Sequence, residues 1–423
     1  MRRGPKAWIG VAGVAWVTAS VASFGQAPIS PSALRNHPAI AYQTARPSDP
    51  VARLDERLAR GSATLVSDPA SGYLRAVLDE LHVPLESQLL VYSKTSFQAP
   101  RISPSNPRAL YFNDTVSVGW VRGGEVLEFA SHDPSLGTVF YTLDQRATSP
   151  RFTRQLVCVQ CHTWEATLDV PGIFVGSVVP ATDGSVLYVP AYSIDHRTPF
   201  DLRWGGWFVT GRHAFSHHLG NALVPSGGTI EAAVTPASVQ ADSLDGRFDT
   251  TGYAGAHSDV VALLVMEHQA RMLNLITRVG WEARVGADAG RPLDAIVNEL
   301  VDYLLFVDER SLPGPVDGPS PFARVFEARG PKDSRGRSLR ELDLRTRLLR
   351  YPCSYLIYSE SFDALPAAAK AAIYARLWTV LSGAGHDPRY ARLEAADRHA
   401  VIEILRDTKP DLPAYFSEPR PGS

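Results

Sequence analysis

Apolar positions recur at helical spacing over Val51 to Arg60 and again over Tyr73 to His82, where Leu74, Val77, Leu78 and Leu81 share one face. At Leu89 the period changes. Leu89-Leu90-Val91-Tyr92 is a compact apolar run, and a proline-punctuated loop follows from Pro100 to Pro107. Val116, Val118 and Trp120 then alternate with smaller residues, a period of two that predicts a strand. The Arg122-Gly123-Gly124 turn leads into Val126 to Ala130 as a hairpin, and Thr138 to Leu143 is another strand. Ile173 to Val179 and Val186 to Val189 flank Thr182-Asp183-Gly184-Ser185 as a second hairpin.

From His257 the pattern is helical: Ser258 to Val279, Leu293 to Val307, Arg340 to Leu349, Pro366 to Ser382 and Glu394 to Arg406. Pro366 to Ser382 carries proline at its start, Gly383 past its end and an Ile373, Leu377, Val380 stripe. The expected class is α+β, with a β-hairpin-rich central region followed by a mainly α-helical C-terminal half. Residues 51–256 form the β-rich region and 257–423 a helical region packed with it as one unit. Pro28 to Pro50, rich in proline and small residues, extends an irregular tether expected over 24–50.

Arg2, Arg3 and Lys6 precede an uncharged run from Trp8 to Gly25, with small residues at Ser20 to Ser23. Residues 1–23 read as an export signal cleaved near Ala22 or Ser23. The alternative is an uncleaved anchor, since the run approaches the ~20 residues that span a bilayer. The expected location is periplasmic or otherwise exported, touching membrane only through an uncleaved N-terminus. With 42 Lys plus Arg against 44 Asp plus Glu, the chain has no general electrostatic attraction for nucleic acid.

An exported chain normally pairs its cysteines, yet there are three, Cys158, Cys161 and Cys353, and the first two are too close to staple a large fold. Cys158-Val159-Gln160-Cys161-His162 matches C-x-x-C-H, the c-type haem attachment sequence. On one helical turn the two sulfurs face the same side and can add to two vinyl groups, while the adjacent imidazole is carried under the ring as iron ligand. Zinc would need a fourth ligand at similar spacing, and Cys353 stands alone. A thioredoxin-like pair would close a βαβ strand, where this chain has hairpins. Through residues 158–162 and the N-terminal signal the chain resembles c-type cytochromes. The resemblance implies one covalent haem c held by Cys158 and Cys161, with His162 on the iron. The rest departs from the small, helical cytochrome c domain.

The distal side is less legible. On the Ser258 to Val279 helix His257, Val261, Leu264, His268, Met272 and Leu275 form one stripe, with Met266 on the opposite side. His268 is one candidate sixth ligand, with a hydrogen-bonded core histidine as its plain alternative. His213, His217 and His218 are others, on what would otherwise be an exposed polar loop. Between Arg324 and Arg350 nine basic residues meet four acids, a patch for propionates or an acidic partner, or a solvated helix face. Cys353 reads as a buried structural thiol. Two functions follow. One is single-electron transfer with a redox partner protein or a small-molecule donor or acceptor. The other is a haem enzyme of peroxidase or oxidase type, with Arg212, His213 or His268 handling protons at open iron.

Overall fold

The computed structural model describes residues 31–286, 292–385 and 387–417; the signal expected over 1–23 lies outside them. The chain is α+β. Six strands form an antiparallel meander in sequence order: β1 (Leu89–Val91), β2 (Arg108–Phe112), β3 (Val116–Trp120), β4 (Val126–Asp133), β5 (Gly137–Asp144) and β6 (Phe152–Arg154). A separate hairpin joins β7 (Val175–Pro180) to β8 (Val186–Ile194). Among the described residues eight helices have six residues or more: α1 (Pro31–Asn36), α2 (Pro50–Ala59), α3 (Leu74–Glu80), α4 (Val260–Gly286), α5 (Asp294–Leu304), α6 (Phe322–Glu327), α7 (Ala367–Leu381) and α8 (Ala395–Thr408).

Strand alternation sends many of the meander's large apolar side chains to one face. Tyr111, Val116, Val118, Trp120, Leu127, Phe129, Val139 and Leu143 pack there against Leu54 of α2 and Leu74, Val77 and Leu78 of α3. Leu34, Ile40 and Tyr42 join this core, so the stretch expected to be an irregular tether is docked from residue 34 onward. The Tyr42 hydroxyl donates to the Thr138 carbonyl at 2.7 Å.

The other face meets α4 through β5 and shares a cavity with β7. Asp259 caps α4, its carboxylate accepting from the Val261 and Ala262 amides at 2.8 and 3.2 Å. Of the 27 residues of α4, 23 are buried, so the helix runs through the molecule with hardly any solvent face. Its apolar residues share one core with β1, α5, α7 and α8, joining the strand-rich and helical parts.

Several elements differ from expectation, among them β6, α1 and α6, which the pattern did not announce. Arg340 to Leu349 is not helical: the Asp343 carboxylate accepts from the Arg345 and Thr346 amides, both at 2.7 Å, and Leu342 bridges back to Leu349. An aspartate that captures nearby amides favours a turn over a helix. Residues 108–112, after the proline-rich loop, form the strand β2.

Candidate functional site

Downstream of β6 the chain tightens into a 3₁₀ turn over Leu156–Gln160. The amides of Cys161 and His162 both reach the Cys158 carbonyl, at 3.2 and 3.0 Å. This turn brings Cys158, Cys161 and His162 to the wall of one cavity of about 530 Å³. Both thiols are free; Cys158 is half-buried and Cys161 exposed. Burial, reinforced by the Glu128 carboxylate, raises the Cys158 thiol above its usual range.

His162 is held by its own backbone loop. Its Nδ1 lies 2.9 Å from the Gly172 carbonyl, and its carbonyl accepts from the Gly172 amide at 3.0 Å. A carbonyl only accepts, so Nδ1 carries the proton and Nε2 keeps its lone pair. Burial is the main reason the imidazole stays neutral, its pKa lowered from the ordinary histidine value. The Phe140 and Phe174 rings flank it, with centroids 4.8 and 5.8 Å away. A Cβ at Gly172 would lie 2.1 Å from Asn274 Oδ1, so a larger residue there would displace the Asn274 side chain. The loop is also tied to α4, because Asn274 donates to the Ile173 carbonyl at 2.8 Å and Arg278 to the Leu168 carbonyl at 2.7 Å.

The cavity floor is the second face of the meander. Ser117 and Gly119 of β3, Ala130 of β4 and Thr142 of β5 line it. Register makes them neighbours: Ser117 opposes Ala130, which opposes Phe140, and Gly119 opposes Glu128, which opposes Thr142. Small side chains at these positions leave space that large ones would fill. One ion pair stands in the wall, Arg108 to Glu128 at 3.0 Å, with Ser96 Oγ donating to Glu128 at 3.1 Å. The volume falls in the ~300–1,000 Å³ range of small-molecule and cofactor sites. Phe97 and Val157 line the cavity yet are 74% and 51% exposed, apolar surface that a bound group would cover.

Cys158, Cys161 and His162 are thus brought together, while the distal candidates are not. His268 is fully buried, and both ring nitrogens are committed, Nδ1 to His196 Nδ1 at 3.0 Å and Nε2 to Ser354 Oγ at 2.7 Å. Burial lowers its pKa to about 3. His218 is committed likewise, to the Val239 carbonyl at 3.1 Å and the Gly220 amide at 3.0 Å. His213 lies tilted against Phe215 and edge-on to His218, and His217 is exposed. None of these four lines the cavity, and neither does Arg212, which pairs with Asp317 at 2.7 Å. Met266 of α4 does line it, although stripe geometry had set that residue aside.

The Arg324 to Arg350 cluster is largely paired with acids from elsewhere: Arg329 and Arg340 with Asp114, Arg335 and Arg337 with Glu403, Arg347 and Arg350 with Asp397. Cys353 is fully buried in the helical core, and burial raises its thiol pKa. Among the described residues no three His, Cys, Asp or Glu side chains converge as a metal cage, so a zinc site built on the Cys158–His162 turn lacks its remaining ligands. No family model, no curated protein and no solved structure matches the chain.

Proposed function

We propose that this chain is an exported c-type haem protein that carries one covalent haem at the Cys158–His162 turn and transfers single electrons outside the cytoplasm. One observation carries the proposal: two free thiols and an imidazole with an unengaged Nε2 share the wall of one cavity of about 530 Å³. Each thiol would add across one vinyl group, sulfur to the inner carbon and the thiol hydrogen to the outer, giving two thioethers and no by-product. When bound, the group supplies a reversible one-electron couple. The chain's residues do the rest. The Gly172 carbonyl fixes the tautomer and angle of His162, and such a partner also makes the imidazole a stronger donor. Phe140 and Phe174 keep water from it, and Ser117, Gly119 and Ala130 leave room for a flat ring.

A second reading, a haem enzyme acting on a small molecule, has one feature in its favour: the Arg108–Glu128 pair lines the same cavity, where the guanidinium would hold negative charge on a bound substrate.

The test is expression alongside a working c-type maturation system, followed by haem staining on a denaturing gel and a pyridine haemochrome assay. One c-type haem per chain is expected, with staining lost in Cys158→Ala/Cys161→Ala. Colourless wild-type protein, or stain that survives the double substitution, overturns the proposal.

A further inference from the structure

We infer that a second cavity, of about 520 Å³, binds a small organic anion with two negative charges on a short apolar body, a dicarboxylate or a phosphate monoester. It shares no lining residue with the cavity at the cysteine turn, and the inference is independent of the haem proposal. Arg53 and Arg57 of α2 line it from one side. They stand four residues apart, so they share a face of the helix about 6 Å apart along its axis. Arg329, just beyond α6, comes in from the helical half. A ring of contacts closes round the space. Arg57 pairs with Glu80 of α3 at 2.8 Å. Asn113, in the β2–β3 turn, donates to the Leu81 and His82 carbonyls at 3.0 and 3.3 Å. Its neighbour Asp114 lies 3.8 Å from Arg329, and Glu360 of the helical half lies 3.2 Å from Arg53, which brings the ring back to α2.

The donors in this ring are only partly used. Arg53 engages Nη1 alone, with the Ser48 carbonyl and Glu360, and Arg57 engages Nη2 alone, with Glu80. Among the described residues neither the Arg329 guanidinium nor the His82 imidazole, which also lines the cavity, has a hydrogen-bond partner. Charge favours an anion as well. The buried Arg340 also pairs with Asp114, so four guanidiniums meet three carboxylates around the ring. The Arg53–Glu360 pair is half-exposed, and exposed pairs hold weakly, so an oxyanion bound through two hydrogen bonds can compete for the guanidinium. Pro50, Leu54 and Leu81 supply an apolar wall beside these charges, which a carbon body would cover and a hydrated inorganic ion would not. An anion held by Arg53 and Arg329 would bridge the strand-rich and helical parts, and so stabilise the folded chain.

The test is titration calorimetry of the full chain with glutarate, phenyl phosphate and inorganic phosphate, repeated on Arg329→Gln and Arg53→Gln. Wild type should bind glutarate or phenyl phosphate saturably, one per chain, and at least about tenfold more tightly than inorganic phosphate. Whichever of the two organic anions binds more tightly identifies the headgroup. Each variant should weaken that binding by about tenfold or more, since a hydrogen bond to a charged group is lost. The bound anion should also raise the Tm of wild type more than that of either variant. Arg329→Gln removes a guanidinium without a hydrogen bond, so this variant should keep the wild-type circular dichroism. The inference is overturned if wild type binds neither organic anion saturably, or binds inorganic phosphate as tightly. It is also overturned if both folded variants bind as wild type does. The measurement does not depend on covalent haem, so its outcome and that of the haem assay are read separately.

Discussion

His268→Gln separates a core histidine from an iron ligand, and its effect can be worked out from burial. The imidazole is fully enclosed, and its pKa falls from an ordinary 6.5 to about 3. In the unfolded chain it titrates near 6.5, so below that pH the unfolded state binds a proton that the folded state refuses. The contribution of His268 is fully present above pH 6.5 and is lost as pH falls toward 3, at about 1.4 kcal/mol per pH unit. By pH 5 the loss reaches about 2 kcal/mol. Glutamine carries no such proton. At pH 7.5 the variant should be less stable, by about 1–3 kcal/mol, because the contacts to Ser354 and His196 are disturbed. By pH 5 the gap should shrink by about 2 kcal/mol or change sign. Urea unfolding of both proteins at the two pH values measures this, and His196, present in both, cancels to first order. The haem absorption of the variant should match wild type. A stability gap independent of pH, or a shifted haem spectrum, refutes the assignment of His268 as a neutral core residue.

Ala130→Leu pushes an apolar side chain into the cavity; it should stabilise the haem-free protein by about 2 kcal/mol and reduce covalent haem per chain, read by denaturant unfolding and haem staining. Arg203→Met strands the buried Glu267 carboxylate, so urea unfolding at pH 8 should show a loss of about 3–5 kcal/mol. Burial raises Glu267 to about 7, so that loss should be smaller at pH 5, where the side chain holds a proton. Glu309 is likewise raised by burial to about 7; a folded-state pKa above the unfolded one costs wild-type stability as pH climbs from about 4.5 to 7. Glu309→Gln should therefore gain on wild type by about 3 kcal/mol between pH 5 and pH 8 in the same assay.

The Cys158–His162 turn was legible in sequence because five adjacent residues carry it, and local geometry alone brings the thiols and imidazole together. Most strands and helices were legible for the same reason, through their periods. Val116, Val118 and Trp120 announced a strand, but nothing in the pattern said that the small residues between them, Ser117 and Gly119, face a cavity. That depends on β4 and β5 lying alongside in a particular register. None of the histidine candidates lines the cavity, and His268 takes its plain alternative, a hydrogen-bonded core histidine. A stripe through His257, His268 and Met272 identifies the inward face of a helix that has an outward one. With 23 of 27 residues buried, α4 has core on nearly every side, so Met266 opposite the stripe also faces inward. Periodicity ranks faces by hydrophobicity and is silent once both are enclosed. The bonds that commit His268 and His218 come from Ser354, His196, Val239 and Gly220, mostly remote in sequence.

The meander has a consequence for the order of events in biogenesis. Apart from one bridge between Val91 and Trp207, its six strands pair with sequence neighbours over residues 89–154, and such short-range pairing is quick to form. The cysteine turn follows at once, whereas α4 starts at Val260. A chain delivered N-terminus first could offer both thiols on a finished floor while the side that carries Met266 is still missing. On the proposed function, the pocket would then be loaded as an open tray and lidded afterwards, so a large flat molecule need never be threaded through the mouth of a completed fold.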